Sequence, residues 1–274
     1  MRFDVINYWS EVKLDILREY AQAYSTILAA QKNPTLDHIY IDGFAGAGIH
    51  FSKQRKGFVP GSPLNALSID PPFKEFHLID LDQQKSDYLQ TLVREQPNAF
   101  VYNEDCNKVL LEKVFPRCRF EQYKRALSVL DPYGLHLNWQ VLKLAGQMKS
   151  VEIFLNFPVA DMNRNVLWMN PKDVEQDQIE RMNTFWGDDS WRPVAYSTSG
   201  NLFGFEEKTD NITVAKAFQK RLRDVAGFSY VPEPLPMRNS KSAIIYYLFF
   251  ASQKPVAANI VTQIFSKYKN RGIE

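Results

Sequence analysis

Ile39-Tyr-Ile-Asp-Gly-Phe-Ala-Gly-Ala-Gly48 is the stretch that decides how the rest of the chain is read. An apolar, β-branched run ends in Asp42 and gives way to three glycines in six residues. That is the pattern of a strand feeding a ligand loop. Gly43, Gly46 and Gly48 permit tight turns and let the main chain approach a bound molecule where a Cβ would otherwise stand. The carboxyl end of a first parallel strand is where open α/β sheets bind nucleotides. The spacing is not Gly-x-Gly-x-x-Gly and no Gly-Lys-Ser/Thr follows, which argues against a dinucleotide fingerprint and against a P-loop. The next strand-like run, Glu75-Phe-His-Leu-Ile-Asp80, also ends in an acid, placed as a ribose-binding carboxylate would be. It lies further on than the roughly 20 residues found in dehydrogenases, with a basic insertion between.

The surrounding composition bounds the answer. The chain has 274 residues, 45% of them apolar, which suits one sizeable α/β domain with an insertion. A formal charge of +2 is too mild to imply nucleic-acid binding, so such a function must rest on local clusters. Cys106 and Cys118 are the only cysteines and lack Cys-x-x-Cys spacing. Neither a zinc site nor a disulfide framework is expected, no metal is assigned, and a reducing cytoplasm fits. No apolar run approaches the roughly 18 residues of a membrane span, so no membrane contact is expected.

Working outward from the glycine loop, residues 8 to 31 carry Val12, Ile16, Tyr20, Tyr24, Ile27 and Leu28 at helical spacing, and Asn33-Pro34 stops the helix. Lys13 on it is a lesser candidate for facing substrate. His50 to Gly61 is polar and basic and reads as a loop, a candidate lid. Ser62 is the expected N-cap and Pro63 the first residue of a short helix through Ile69. Phe73 to Asp80 is the second strand, Gln83 to Gln96 a helix, and Phe100 to Tyr102 a third strand. Asn107 to Lys124 reads as a helix broken near Pro116. Ala126 to Leu130 is a buried strand ending in Asp131-Pro-Tyr-Gly134. Asn138 to Met148 is an amphipathic helix, and Val151 to Asn156 a strand whose tip, Asn156-Phe-Pro158, points into the crevice.

Further on, helices are expected around Val174 to Trp186 and Ile212 to Asp224. The latter carries Lys216, Lys220 and Arg223 on one face, readable as a solvated stripe or a phosphate contact. Gly227 to Met237, with three prolines, suits an edge strand or an extended segment. Ala243 to Ala251 reads as a buried strand and Val256 to Tyr268 as a closing helix.

Asp42-Gly-Phe-Ala-Gly-Ala-Gly48, Leu78-Ile-Asp-Leu-Asp82, Asn103-Glu-Asp-Cys106 and Leu130-Asp-Pro-Tyr-Gly134, in that order, resemble the motifs of class I S-adenosylmethionine-dependent methyltransferases. With Trp9, Lys13-Leu14 and Asn156-Phe-Pro158, nearly the whole chain resembles the three-Cys-motif partner protein family (TcmP). The resemblance implies a Rossmann-like class I methyltransferase fold: a seven-stranded, mostly parallel sheet with one antiparallel strand and helices on both faces. Residues 1–158 and 226–274 would form that core, and 159–225 a helical cap for substrate recognition. Asp161, Asn163 and Arg164 would lie where the cap leaves the sheet.

The resemblance also implies site roles. Asp42, Gly43, Phe44, Ala45, Gly46 and Gly48 would hold S-adenosyl-L-methionine, with Leu81 beside them. Asp80 would accept the ribose hydroxyls, a task that Asp82 competes for. Asp105 would accept from the adenine amino group, with Cys106 and Asn107 giving main-chain contacts, although Asp105 also reads as a plain helix N-cap. Asp131, Pro132 and Tyr133 would form the catalytic turn, and Asn156, Pro158 and Arg164 would bind substrate. The turn is similar to Asp-Pro-Phe-Gly, a relative of the Asp/Asn-Pro-Pro-Tyr of exocyclic-amine methyltransferases, and lacks the second proline.

The chemistry accounts for these residue types. An aromatic amino group is a poor nucleophile until acceptors take its hydrogens and let the nitrogen pyramidalise, and Tyr133 could stack on the base. The implied function is methyl transfer to an exocyclic nitrogen of a nucleobase in RNA or DNA. The alternatives are a binding module without catalysis, acting with a three-cysteine-motif partner protein, and a nucleotide-dependent oxidoreductase, against which the glycine spacing argues. The same Asp-Pro-Tyr-Gly sequence also serves as a simple turn.

Overall fold

The computed structural model describes residues 3–197 and 207–269. A two-residue strand β1 (Val5–Ile6) precedes α1 (Tyr8–Ala29), whose buried Val12, Ile16, Leu17, Tyr20, Ala21 and Tyr24 follow the helical period. Next come β2 (Asp37–Asp42), β3 (Ile49–Ser52), β4 (Gly57–Pro60), α2 (Ser62–Leu67), β5 (Glu75–Ile79), α3 (Gln83–Leu92) and β6 (Ala99–Tyr102). Then follow α4 (Cys106–Val109), β7 (Lys124–Leu130), α5 (Trp139–Met148), β8 (Val151–Phe157), α6 (Val159–Asn165), α7 (Gln176–Trp186) and α8 (Arg192–Ala195). The chain continues through β9 (Tyr196–Ser197), β10 (Glu207–Lys208), α9 (Asn211–Asp224), β11 (Leu235–Arg238), β12 (Ile244–Ala251) and α10 (Pro255–Tyr268). No helix among the described residues is long and apolar enough to cross a membrane.

Seven strands form the main sheet in the order β6-β5-β2-β7-β8-β12-β11. β12 pairs antiparallel with both of its neighbours, and the other pairings are parallel. One reversed strand in a mostly parallel sheet is the Rossmann-like class I methyltransferase arrangement expected from the sequence. The strand order turns back at β2, with β5 and β6 built outward on one side and β7 and β8 on the other. The crevice beyond the carboxyl ends of β2 and β7 is therefore a topological switch point.

Two cores sandwich the sheet. β8 shows why: Val151, Ile153, Leu155 and Phe157 enter one core with α5, α7 and α9, whereas Phe154 enters the other with α1 and α10. Residues 159–197 and 207–225 add Phe185, Trp186 and Phe218 to the first core, and the Phe157 and Phe218 ring centroids lie 4.7 Å apart. Residues 198–206 of the expected cap lie outside the described residues.

Three local expectations are corrected, and a fourth is narrowed. His50 to Gly61 is a β3–β4 hairpin, and β1 adds to it as a third strand. Phe51 and Phe58 pack edge to face at 5.6 Å, while the basic residues that suggested a loop sit exposed at the turn. Gly61, not Ser62, caps α2, which ends at Leu67; the Ser62 hydroxyl turns inward to Asp42. The helix expected over 107–124 is four pieces: α4, a wide turn over Leu110–Val114, and tight turns over Phe115–Arg117 and Phe120–Gln122. Pro116 has no N–H and its ring clashes with the preceding turn, so a regular helix cannot continue. Of Gly227 to Met237 only the final residues are strand, continued to Arg238.

Candidate functional site

β2 delivers Asp42 to the crevice with no solvent exposure. Its Oδ1 accepts the Phe44 N–H at 3.2 Å, and the Tyr40 hydroxyl donates to Oδ2 at 3.3 Å. Burial outweighs these bonds and that from Ser62, and with the nearby Asp131 charge lifts the Asp42 carboxyl to about 6. Asp42 thus supports the glycine loop from beneath. The loop itself is anchored to β7 and to the carboxyl end of β5. Gly43 N–H donates to the Val129 carbonyl at 2.9 Å, Ala45 N–H to the Ile79 carbonyl at 2.8 Å, and Gly46 N–H to Asp80 Oδ2 at 2.8 Å. Gly46 and Gly48, at φ of +60° and +78°, use the left-handed region that favours glycine. A Cβ on Gly43 would stand 2.8 Å from Cys106 Sγ.

Beside this loop lies a cavity of about 220 Å³ walled by Gly43, Phe44, Asp80, Leu81, Asp105, Cys106, Tyr133 and His136. A more open hollow continues past Asp80, Leu81 and Tyr133 to Asp82 and Lys85. Six of the ten residues expected at the cofactor share this wall. Asp42, Ala45, Gly46 and Gly48 do not; Ala45 is packed into the core instead.

Asp80 accepts from Gly46 through Oδ2 and from the Asp82 N–H through Oδ1 at 2.9 Å. Burial raises its pKa, and the two main-chain donors oppose the rise. Leu81 is 72% exposed at the mouth, an apolar surface suited to a flat ring. Asp82 caps α3 through the Lys85 N–H, so its carboxylate already serves the helix. Asp105 caps α4 through the Lys108 N–H at 3.0 Å, as the helix N-cap reading has it, and also lines the cavity. Cys106 is buried, which pushes its thiol well up.

At the tip of β7, Asp131 accepts from Lys13 through Oδ2 and from Asn156 Nδ2 at 2.7 Å through Oδ1. Lys13 lies over the Tyr246 ring, 5.4 Å from its centroid. Tyr133 is tethered at its hydroxyl end. Its hydroxyl donates to Asp4 at 3.1 Å, and Lys85, itself paired with Asp4 at 2.7 Å, lies 5.4 Å from the ring centroid. Tyr133 keeps 61% of its surface exposed; desolvation of the hydroxyl, then the Asp4 and Asp131 charges, raise its pKa. Pro132 and Pro158 are both buried, Pro158 as the N-cap residue of α6. The first turn of α6 abuts the Asp131-Pro-Tyr-Gly134 turn, since a Cβ on Gly134 would meet Asp161 Oδ2 at 2.6 Å. Arg164 is exposed on the last turn of α6.

Four residues of this neighbourhood were missed or undervalued in the sequence: Lys13, Asp4, Lys85 and His50. His50 is half-buried, its shielded Nδ1 has no hydrogen-bond partner, and burial and Lys13 lower its pKa. Lys13 alone is a lesser candidate for facing substrate in the sequence, on the first helix and in the resemblance. Asp4, Lys85 and His50 carry no local pattern.

No family model and no curated protein sequence matches the chain. Solved structures do. Protein LPL1258 from Legionella pneumophila, of family DUF519, superposes with a TM-score of 0.54 at 12% identity over 94% of this chain and 93% of that one. The bifunctional kinase-methyltransferase WbdD matches 88% of this chain and 39% of its own at 11% identity and a TM-score of 0.43. A candidate methyltransferase, YhhF from Escherichia coli, matches 52% and 67% at 19% identity and a TM-score of 0.35. At these identities the likeness is one of fold alone, and of the three it rests on the Legionella protein, whose TM-score exceeds 0.5.

Proposed function

We propose that this chain is an S-adenosylmethionine-dependent methyltransferase acting on an exocyclic amino nitrogen of a nucleobase in RNA or DNA. The observation that carries the reading is the meeting of two motifs at one cavity. Tyr133 of the Asp131-Pro-Tyr-Gly134 turn shares a wall with Gly43, Asp80 and Asp105. The residues fit the cofactor: a main chain bared at Gly43, an acid at the tip of the second strand, and an apolar Leu81 at the mouth. Asp80 would hold the ribose, Asp105 and the Cys106 main chain the adenine, and the glycine loop the remainder. When bound, S-adenosylmethionine supplies an electrophilic methyl group.

The work left to the protein is to hold the acceptor amino group. An ionised carboxylate offers about four acceptor sites, and in Asp131 two are used by Lys13 and Asn156. The rest can take a hydrogen of the substrate amine, with Asn156 keeping the carboxylate plane fixed. A base within a duplex would have to be flipped out to reach Asp131. Segment 159–225, through Arg164 and the first turn of α6, would contact the acceptor, with the work done in the cytoplasm beside a three-Cys-motif protein.

The Lys13–Asp131 ion pair supports a second reading. A carboxylate already engaged by a lysine suits a TcmP-family binding module that keeps the cofactor pocket without catalysis. Labelled S-adenosylmethionine offered to total RNA, DNA and the partner protein separates the two. Transfer lost in Asp131→Ala supports the enzyme, and transfer that persists in that variant removes Asp131 from the chemistry. Absence of transfer with intact cofactor binding supports the module. Calorimetry with S-adenosylhomocysteine and with NAD tests the oxidoreductase alternative.

A further inference from the structure

A second cavity, of about 300 Å³, opens at the opposite end of the sheet from the glycine loop. It lies where β7 and β8 begin and β12 ends, between the second half of α1 and the first turns of α10. Its volume is at the lower end of the range of small-molecule sites. The walls are aliphatic, from Ile27, Leu28, Ala257 and Ile260. At their inner end the polar groups are few and convergent. Glu152 accepts from the Tyr20 hydroxyl and, at 2.8 Å, from Ser252 Oγ. The Tyr24 hydroxyl, shielded from solvent, has no hydrogen-bond partner. A buried phenol without an acceptor is costly unless something supplies one. The rim is cationic: Arg125, Lys149 and Lys254 line it, and among the described residues Glu152 is the only acid in the lining.

We propose that this cavity binds a small aromatic or branched aliphatic carboxylate. Its apolar body would lie against Leu28, Ala257 and Ile260, its anionic end would face Lys254 and Arg125, and a polar atom would lie in reach of Tyr24. Excess positive charge at the rim selects an anion, the aliphatic walls select an apolar body, and the volume limits it to roughly the lower range of pocket ligands. The assignment is independent of the strand-tip site and stands whether or not that site transfers methyl groups.

The test is calorimetry and thermal denaturation of the full chain with indole-3-acetate, and with neutral indole-3-acetamide as control. Indole-3-acetate should bind saturably and raise the melting temperature, with the amide weaker by about tenfold or more. Ala257→Trp, which fills the cavity, should abolish binding. Lys254→Glu, an exposed change that leaves the core untouched, should weaken it by about tenfold and gives the answer should Ala257→Trp fail to fold. No saturable binding at millimolar probe, equal affinity for acid and amide, or affinity unchanged in Lys254→Glu would each overturn the proposal.

Discussion

Asp42→Asn is the substitution whose consequence can be worked furthest. The carboxyl is wholly buried, and its pKa is lifted from 3.8 to about 6, chiefly by burial. Native protein therefore holds a proton at Asp42 through a pH range in which the unfolded chain has released it. Where the native state binds more protons, stability falls as pH rises. The contribution is fully present below about pH 4 and is lost as pH climbs through about 6. A gap of roughly 2 units at 1.36 kcal/mol each comes to about 3 kcal/mol. Asparagine keeps the shape and can still accept from Phe44, but it does not titrate. Urea unfolding of wild type and Asp42→Asn from pH 4 to 8 should show the variant gaining on wild type by about 3 kcal/mol across that range. The other titrating groups cancel in the difference. A difference that stays flat from pH 4 to 8 would mean that Asp42 does not carry a raised pKa, and the account of the buried support would fail.

Asp80→Ala should weaken S-adenosylhomocysteine binding, read by calorimetry, more than tenfold; unchanged affinity would shift the ribose role to Asp82 or remove it. Lys13→Met strands the Asp131 carboxylate, which is one-third exposed, so the cost in urea unfolding should be about 1 to 2 kcal/mol, below that of a fully buried pair. Gly146→Ala would set a Cβ 2.1 Å from the Ala226 carbonyl oxygen, and a loss of about 3 kcal/mol or more is expected from forcing that helix off its neighbour.

The sheet was legible because its signals are local. Ile39 to Asp42, Ala126 to Leu130 and Ala243 to Ala251 are apolar runs bounded by turn residues, and each turn chemistry agrees with the strand it ends. The β3–β4 hairpin was hidden by the charges at its turn, since Lys53, Arg55 and Lys56 outweigh two short apolar pairs in any window. The pairing of Lys13 with Asp131 spans 118 residues and has no trace in local pattern. Asp42 could be placed at the loop from sequence. That it lies under the loop depends on Tyr40, Ser62 and the packing of two strands, which a one-dimensional pattern does not carry.

One helix and one strand reach both the Asp131 cluster and the second cavity. α1 brings Lys13 to Asp131 and, about 16 Å further along at 1.5 Å per residue, Tyr24 to the second cavity. β8 likewise carries Asn156 at its tip and Glu152 near its start, both on the face turned toward α1. Tyr20 ties the two elements together through Glu152 and packs edge to face on Phe154 and Phe250 at 5.2 and 4.8 Å. A helix packed this closely moves as a body, because the core it sits on does not deform smoothly. A carboxylate settling between α1 and α10 should therefore be felt at the Lys13–Asp131 pair. Coupling is reciprocal, so indole-3-acetate should change S-adenosylhomocysteine affinity by the same factor as the converse, within the roughly 5- to 150-fold range usual for linked sites. Calorimetric titration of each ligand with the other at saturation measures both factors. Two bound ligands with neither affecting the other would show that α1 transmits nothing between its ends.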